Sequence, residues 1–203
     1  GGYLAWVETL RGVDNLWASA PPHHRPPLQI TSFSRQDAEL ASVRITAAGG
    51  LLFVRRPRVG TNPESRVDGP LSTATYHVPS VRAATAASSP PPAPTIVANA
   101  TMLSVSPNGT SVLYAQTNPS GRGESLFEQA LDSGFAPHRL FTVQQGTLGQ
   151  LQWRPDGALL AFTNARAAYA FVGLFAPSAS RVQWVSPSVD TDVAPTWSAD
   201  GAT

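Results

Sequence analysis

Cysteine and lysine are both absent from the chain, and charged residues are scarce. Charged side chains make up 13% of the 203 residues, which is about half of the usual share. Without cysteine, thiolate catalysis, zinc–cysteine sites and disulfides are excluded, whereas the redox compartment stays open. All 14 basic residues are arginines scattered along the sequence, and the net charge is +1. The chain therefore lacks the basic track typical of nucleic-acid-binding proteins, and we expect no nucleic-acid partner.

Long hydrophobic runs are absent as well. No stretch of the sequence approaches the roughly 18 apolar residues that a membrane span needs. The first residues do not resemble a signal peptide, because Glu8 and Arg11 interrupt the place where an apolar region should continue. The last residues, WSADGAT, stop directly after a turn motif. We therefore expect the chain to be a fragment of a longer protein.

An internal repeat is the most informative positive feature. The segment LSVSPNGTSVLYAQ (103–116) aligns with LQWRPDGALLAFTN (151–164), so that a Pro-Asn/Asp-Gly turn and the apolar run after it coincide. The same shift carries Leu126-Phe127 onto Leu174-Phe175. A third copy begins with PTWSADG, and an eroded copy reads ASVRITAAGGLLFVRR. Such regular repetition is typical of stacked, similar units.

Each unit predicts four short strands. The first strand precedes the turn, in which Pro fixes φ and Gly takes a positive φ, so that the chain reverses. The second strand is almost entirely apolar, the third carries an aromatic residue, and the fourth is short and more polar. Four strands in roughly 45 residues match one propeller blade, and 19 Pro and 16 Gly leave little room for long helices. The predicted fold is all-β, a partial β-propeller of about three to four four-stranded blades with an incomplete ring.

The blade boundaries follow from the positions of the turns. The first segment is expected to supply the last three strands of one blade. Residues 81–95, VRAATAASSPPPAPT, have low complexity, and we interpret them as a flexible insertion between the second and third blades. The blades are predicted at 3–31, 38–80, 98–144 and 147–186, with the start of another at 193–203.

Motifs for catalysis and for cofactors are missing. A hydrolase nucleophile elbow requires Gly-x-Ser-x-Gly, and the nearest approach, GESLF around Ser125, lacks the second Gly. The GRGES sequence lacks the third Gly and the following helix of a phosphate-binding loop. The four histidines are His23, His24, His77 and His138. The adjacent His23 and His24 could contact a metal, but no carboxylate or third ligand lies near them at metal-binding spacing, so we interpret them as part of a solvated loop. We therefore assign no catalytic, metal-binding or cofactor-binding residue, and we expect no cofactor.

The remaining polar and aromatic candidates have structural interpretations. Asp190 and Asp192 lie on a predicted loop, where they are interpreted as solvated turn residues, with a contact at the propeller rim as the functional alternative. Asp156 and Asp200 are expected to cap backbone amides of their turns. The tryptophans occupy repeat-equivalent strand positions, so core packing is favoured over ligand stacking; they are Trp6, Trp17, Trp153, Trp184 and Trp197.

The order of several motifs resembles the β-propeller of serine peptidases of the prolyl oligopeptidase family, particularly the bacterial dipeptidyl-peptidase-like type. AWVETLRGVDNLWASAPP (5–22) resembles that family's AWV-x-x-x-RG-x-x-NLW-x-A-x-P stretch, and LQITSFSRQDAEL (28–40) is similar to its QLT-x-Y-x-x-DDGQEL stretch. In the latter, Gln36–Leu40 is shortened and lacks the Gly. Three later stretches match the family's Asn-Pro-x-Ser, HSFIGVYD and WSPDG regions in the same order; they are TNPESRVDGP (61–70), AYAFVGLFAP (168–177) and SPSVDTDVAPTWSADG (186–201).

The resemblance implies a C-terminal α/β-hydrolase domain with a Ser-Asp-His triad in the same polypeptide. None of that domain is present in these residues, so no catalytic residue is carried over. The family's propeller admits short peptides, and in dipeptidyl peptidases a pair of Glu residues holds the substrate amine. Glu39 lies in a matched segment, but we do not assign it this role because the match there is degraded. The predicted function is the non-catalytic propeller portion of a serine exopeptidase, which gates and orients short peptide substrates for the hydrolase domain.

Several alternatives stay open at this point. A stand-alone, protein-binding propeller scaffold of the Tol-system type also carries Pro-Asp-Gly turns. A decayed copy of a peptidase is a third reading, given the missing Gly near Asp37 and the Ala/Pro insertion. A homodimer is an option because the family often pairs. The compartment is undetermined, with a periplasmic or secreted location favoured and a cytoplasmic one still open.

Overall fold

The computed structural model describes most of the chain as antiparallel β-structure. The chain divides into two compact units, Gly1–Thr101 and Met102–Thr203. A short 3₁₀ turn at Pro177–Ala179 lies between two of the strands. The described residues are 2–22, 26–46, 49–60, 72–82, 95–100, 102–131, 136–185 and 190–201.

The first unit contains two antiparallel sheets in which each strand pairs with the next one along the chain. Sheet A has three strands, β1 (Leu4–Leu10), β2 (Val13–Ser19) and β3 (Leu28–Gln29). Sheet B has four strands, β4 (Ala38–Ile45), β5 (Leu51–Pro57), β6 (Ala74–Val78) and β7 (Thr95–Ala98).

The second unit repeats this arrangement with two four-stranded sheets. Sheet C consists of β8 (Met102–Val105), β9 (Ser111–Thr117), β10 (Glu124–Ala130) and β11 (His138–Val143). Sheet D consists of β12 (Thr147–Trp153), β13 (Leu160–Arg166), β14 (Tyr169–Ala176) and β15 (Arg181–Trp184). The predicted all-β class and the four-stranded, blade-like sheets are confirmed, and sheet A has the three strands expected of it.

Sheet B extends further along the chain than the predicted blade at 38–80. Its last strand, β7, pairs with β6 through Tyr76 and Ile96, so the sheet reaches Ala98, and the next one begins at Met102 instead of residue 98. The Thr-Ile-Val sequence of β7 favours a strand because β-branched residues fit a pleated sheet. The low-complexity segment at 81–95 therefore joins two strands of one sheet rather than two blades. Residues 83–94 of it lie outside the described residues.

Each unit has its own apolar core between its two sheets. In the first unit, Leu16 of sheet A packs with Phe53 and Val78 of sheet B. In the second unit, Leu113 of sheet C packs with Phe162 of sheet D. The second strand of each four-stranded sheet supplies much of the core, because β5, β9 and β13 each begin with at least four consecutive buried residues. The continuous apolar character of these strands in the sequence reflects this burial on both faces.

The predicted turns recur with the same geometry. The turns Ser106–Gly109, Arg154–Gly157 and Ser198–Gly201 are closed by N–H to C=O bonds of 2.8, 2.8 and 2.9 Å, respectively. Their glycines have φ of 72°, 73° and 69°, a region that favours Gly because it has no Cβ. In the eroded copy, the turn Thr46–Gly49 is closed by an equivalent bond of 2.9 Å.

The first strand of a unit also carries a recurring irregularity. The pairing of β4 with β5 and of β12 with β13 shifts register at Ser42 and at Gln150, which have φ of 52° and 47°. Ala194, with φ of 55°, lies three residues before Trp197, as Gln150 lies three before Trp153. Residues 193–201 thus repeat the positive-φ residue and the closed turn found at the start of sheet D.

The third strands of sheets C and D are two residues out of the register that the sequence repeat predicts. Tyr114 pairs with Phe127, whereas its counterpart Phe162 pairs with Gly173. Gly173 is therefore the structural counterpart of Phe127, and the predicted match of Leu126-Phe127 with Leu174-Phe175 is wrong. The cause is the length of the connection, because β13 and β14 are joined by a tight turn at 167–168 and β9 and β10 by a longer loop at 118–123.

A charged network joins sheets A and B. The carboxylate of Asp14 accepts hydrogen bonds from Thr9 Oγ1 at 2.7 Å and from the backbone N–H of Leu40 at 3.1 Å. It also forms an ion pair with Arg58 at 2.7 Å. Burial alone would raise the pKa of Asp14, but these three donors outweigh it and lower the pKa below the usual value. Asp14 and Arg58 therefore hold the end of β5 against the neighbouring sheet.

Candidate functional site

Ser125, the one serine with a partial nucleophile motif, has a structural role. It is buried on β10, where its hydroxyl donates to Asn118 Oδ1 at 2.8 Å and lies 2.8 Å from Thr142 Oγ1. A nucleophilic serine needs an adjacent general base such as His, and these two partners cannot act as one. The Ser125 hydroxyl instead ties the loop at Asn118 to the sheet.

The histidines do not converge on a metal site in the described part of the chain. His77 is buried on β6, and His138 is exposed on β11. His23 and His24 lie outside the described residues. Among the residues that the structure describes, no group of three or more His, Cys, Asp or Glu side chains is placed to hold a metal ion. Nor does that part of the chain contain a helix with the length and apolar character required to cross a membrane.

The paired aspartates before the last turn act through their backbone. The C=O of Asp190 accepts from the N–H of Ala170 at 3.3 Å, and the N–H of Asp192 donates to the C=O of Ala170 at 3.0 Å. Thr191 forms a parallel bridge with Ala170 between them. The segment is thereby fixed beside β14, and Asp192 is half-buried against a groove described below.

The turn aspartates form hydrogen bonds within their own turns, and the predicted capping of a backbone amide is confirmed for Asp156. Asp156 Oδ1 accepts from the backbone N–H of Ala158 at 2.9 Å, and Asp200 accepts from the hydroxyl of Ser198 at 2.6 Å. Arg154 contacts both carboxylate oxygens of Asp156, at 2.7 and 2.6 Å. The hydrogen bonds from Arg154 lower the pKa of Asp156 to about 2. Asp156 is therefore charged at neutral pH, and its charge is already balanced.

Glu39 is engaged in a cross-strand ion pair. It lies directly opposite Arg56 in the pairing of β4 with β5, and the two side chains form an ion pair of 2.6 Å. A cross-strand pair of opposite charges supports the sheet by a few tenths of a kcal/mol to about 1 kcal/mol. The ion pair thus supplies a local structural role for this carboxylate.

The tryptophans lie on or beside the sheets. Trp6 and Trp17 face one another across β1 and β2, and both are half-buried. Trp153 and Trp184 pack against the core of the second unit. Trp197 donates its indole N–H to the C=O of Gln152 at 2.9 Å, which fixes the last described segment alongside β12.

A groove of about 810 Å³ lies between the last segment and the outer face of sheet D. Its walls are largely apolar and include Ala161, Val172 and Trp197. In sheet C the counterparts of Ala161 and Val172 are Leu113 and Leu126, which sheet D covers. The groove therefore lies on the face of sheet D that corresponds to the face of sheet C packed against sheet D.

Sequence reasoning did not identify two groups of side chains. The Asp14–Arg58 pair spans 44 residues of sequence, and no local motif connects its members. Ser111 and Glu128 are hydrogen-bonded across β9 and β10. A polar residue inside an otherwise apolar strand pattern was the available signal for Glu128, but its position relative to the sheet could not be read without the strand register.

Solved structures provide the comparison with known proteins. The chain is similar to a puromycin-hydrolyzing peptidase of Mycobacterium tuberculosis, with 18% identity and a TM-score of 0.60 over 93% of this chain and 31% of that chain. It is also similar to the β-propeller domain of the Trilobed protease from Pyrococcus furiosus, with 15% identity and a TM-score of 0.50 over 74% of this chain and 43% of the other. A protein assigned as TolB from Agrobacterium tumefaciens gives 18% identity and a TM-score of 0.50 over 86% of this chain and 55% of its own.

Sequence comparisons give no further assignment, because no family model and no curated protein matches the chain. The chain spans between 31% and 55% of the length of the three structures described above. At identities of 15% to 18%, the similarity defines the fold and not the activity. The chain therefore has a β-propeller fold, of a type found both in peptidases and in a TolB protein.

Proposed function

We propose that the chain is the propeller portion of a serine exopeptidase of the prolyl oligopeptidase family, in which it gates and orients short peptides for an α/β-hydrolase domain. The observation that carries this proposal is the ordered match of family motifs from Trp6 to Gly201. The similarity to a peptidase over 93% of the chain, at a TM-score of 0.60, supports it.

The test uses the complete open reading frame that encodes these residues. We expect it to continue into a Gly-x-Ser-x-Gly segment followed by Asp and His. The purified full-length protein is expected to hydrolyse aminoacyl or dipeptidyl chromogenic amides, and replacement of the elbow serine by alanine should abolish that activity. A reading frame that ends after further blades, with no such segment, would contradict the proposal.

A stand-alone, protein-binding scaffold is the second candidate. It is favoured by the similarity to a TolB protein, of which this chain covers 55%, and by the Pro-Asp-Gly turns. This function requires no hydrolase domain. A full-length protein that lacks peptidase activity but retains one stable protein partner in pull-down experiments would support it, and the activity of the first candidate would exclude it.

A further inference from the structure

The second unit contains a small pocket at the end of the layer between sheets C and D. Its volume is about 330 Å³, and it opens between the turns Ser106–Gly109 and Arg154–Gly157. Apolar surface is contributed by Trp153, Leu140 and two prolines. We call it the Glu128 pocket, defined by Pro107, Glu128, Leu140, Trp153 and Pro177.

The polar residues of this pocket depart from the protein's own repeat. Glu128 pairs with Leu113, and the counterpart of Leu113 in sheet D, Ala161, pairs with Leu174. Leu174 thus occupies in sheet D the place that Glu128 occupies in sheet C. The hydroxyl of Ser111 donates to Glu128 Oε1. In the sequence repeat, the position of Ser111 corresponds to Leu159 of the second copy. Because leucine fills these two places in one repeat, the fold does not require a carboxylate there.

The charge of Glu128 is not balanced by a described basic side chain. Glu128 is half-buried, and its described hydrogen-bond partner is the neutral hydroxyl of Ser111. The other carboxylate of the pocket, Asp156, is already paired with Arg154 at 2.6 Å. His138 lies opposite Glu128 in the strand register, but it is exposed. Among the described residues, the pocket therefore presents one carboxylate without a basic partner, that of Glu128, beside an indole ring and apolar walls.

We propose that the Glu128 pocket binds the guanidinium group of an arginine side chain carried by a peptide. A planar guanidinium can donate to the Glu128 carboxylate and lie against the indole of Trp153. Its alkyl stem would contact Leu140 and Pro177, as the stems of long basic side chains do on apolar surfaces. This binding site is independent of whether the full-length protein is a peptidase or a scaffold.

The first test is an NMR titration of the isotopically labelled chain with N-acetyl-arginine methylamide. The indole N–H signal of Trp153, identified with the Trp153→Phe variant, should shift with a Kd on the order of 1 mM, as expected for a single side-chain contact. The citrulline analogue has the same shape without the charge, and we expect it to bind at least about ten-fold more weakly. Equal binding of the two compounds, or no shift with either of them, would overturn the proposal.

The second test uses variants of the carboxylate. Glu128→Gln should weaken arginine binding by about ten-fold or more, whereas Glu124→Gln, on the same strand but at its other end, should leave it unchanged. Glu128→Leu reproduces the residue found at the counterpart Leu174, so it should fold and lose binding even if Glu128→Gln is unstable. Retention of binding in a folded Glu128→Leu protein would contradict the assignment.

Discussion

The aromatic ring of Phe162 lies against Gly173 on the neighbouring strand of sheet D. The two residues are paired in the register of β13 and β14, and a Cβ atom built on Gly173 would overlap the ring. On its other sides the Phe162 ring meets Phe141, with centroids 4.8 Å apart, and Trp184, with centroids 5.7 Å apart. The ring is therefore enclosed, and the position of Gly173 must stay without a side chain.

We expect Gly173→Ala to lower the free energy of unfolding by about 1–3 kcal/mol, because the added methyl group overpacks a core that cannot move aside. Chemical denaturation monitored by tryptophan fluorescence measures this change. Gly149→Ala is the matched control in the same sheet, since its Cβ would lie 3.6 Å from Thr163 Oγ1. Equal effects of the two substitutions would show that the ring of Phe162 can yield.

The ion pair between Asp14 and Arg58 gives a second prediction. Asp14→Asn should lower the free energy of unfolding by about 1–3 kcal/mol, because charged hydrogen bonds to a largely buried group are lost. Glu39→Gln breaks the more exposed pair with Arg56 and should cost less than about 1 kcal/mol. A double-mutant cycle of Asp14→Asn with Arg58→Met isolates the pair, and a coupling near zero would refute its role.

The same carboxylate predicts a dependence of stability on pH. The pKa of Asp14 is lowered in the folded state from an ordinary value of 3.8. A group with a depressed pKa stabilises the fold fully above its unfolded pKa, and this stabilisation is lost as the pH falls through the folded pKa. The wild-type protein should therefore lose more stability than Asp14→Asn on going from about pH 4 to about pH 2. Thermal unfolding at both pH values measures this difference. Equal losses of stability in the wild-type protein and in Asp14→Asn would contradict the prediction.

The repeated turns predict different roles for their Gly and their Pro. Gly157 has φ of 73°, so Gly157→Ala should cost about 1–2 kcal/mol in a region that L-residues avoid. Pro155→Ala should cost less than about 1 kcal/mol, because the turn Ser198–Gly201 keeps the same hydrogen bond with Ala199 at that position. Thermal unfolding of both variants shows which substitution costs more stability. A larger loss for Pro155→Ala than for Gly157→Ala would contradict the prediction.

The architecture could be predicted from the sequence because each repeat is marked by residues that are close together in the chain. Gly157 after an Asp, and an apolar run after Gly157, indicate a turn and a buried strand without any tertiary information. The register of the third strand could not be predicted in this way. The counterpart of Phe127 depends on the length of the preceding connection, and a change of two residues there preserves the alternation of faces while sliding the strand.

Side-chain networks were less accessible to sequence reasoning than turns. Asp156 could be assigned to a turn cap because its partners are within two residues. Asp14 has its ion-pair partner, Arg58, at the end of a strand in another sheet. Glu128 can be recognised as a departure from the repeat only when the strand register identifies Leu174 as its counterpart. Both depend on which strands lie side by side, which the composition of a single segment does not encode.

The connection from Val78 to Thr95 starts and ends within one antiparallel strand pair, because His77 and Thr95 are partners in the ladder of sheet B. The two ends are held together by the sheet, whatever the length of chain between them. Lengthening such a loop two-fold costs only about 0.6 kcal/mol in closure entropy. This connection is therefore a suitable insertion site, at which a reporter domain or an affinity module could be added without changing the order of the strands.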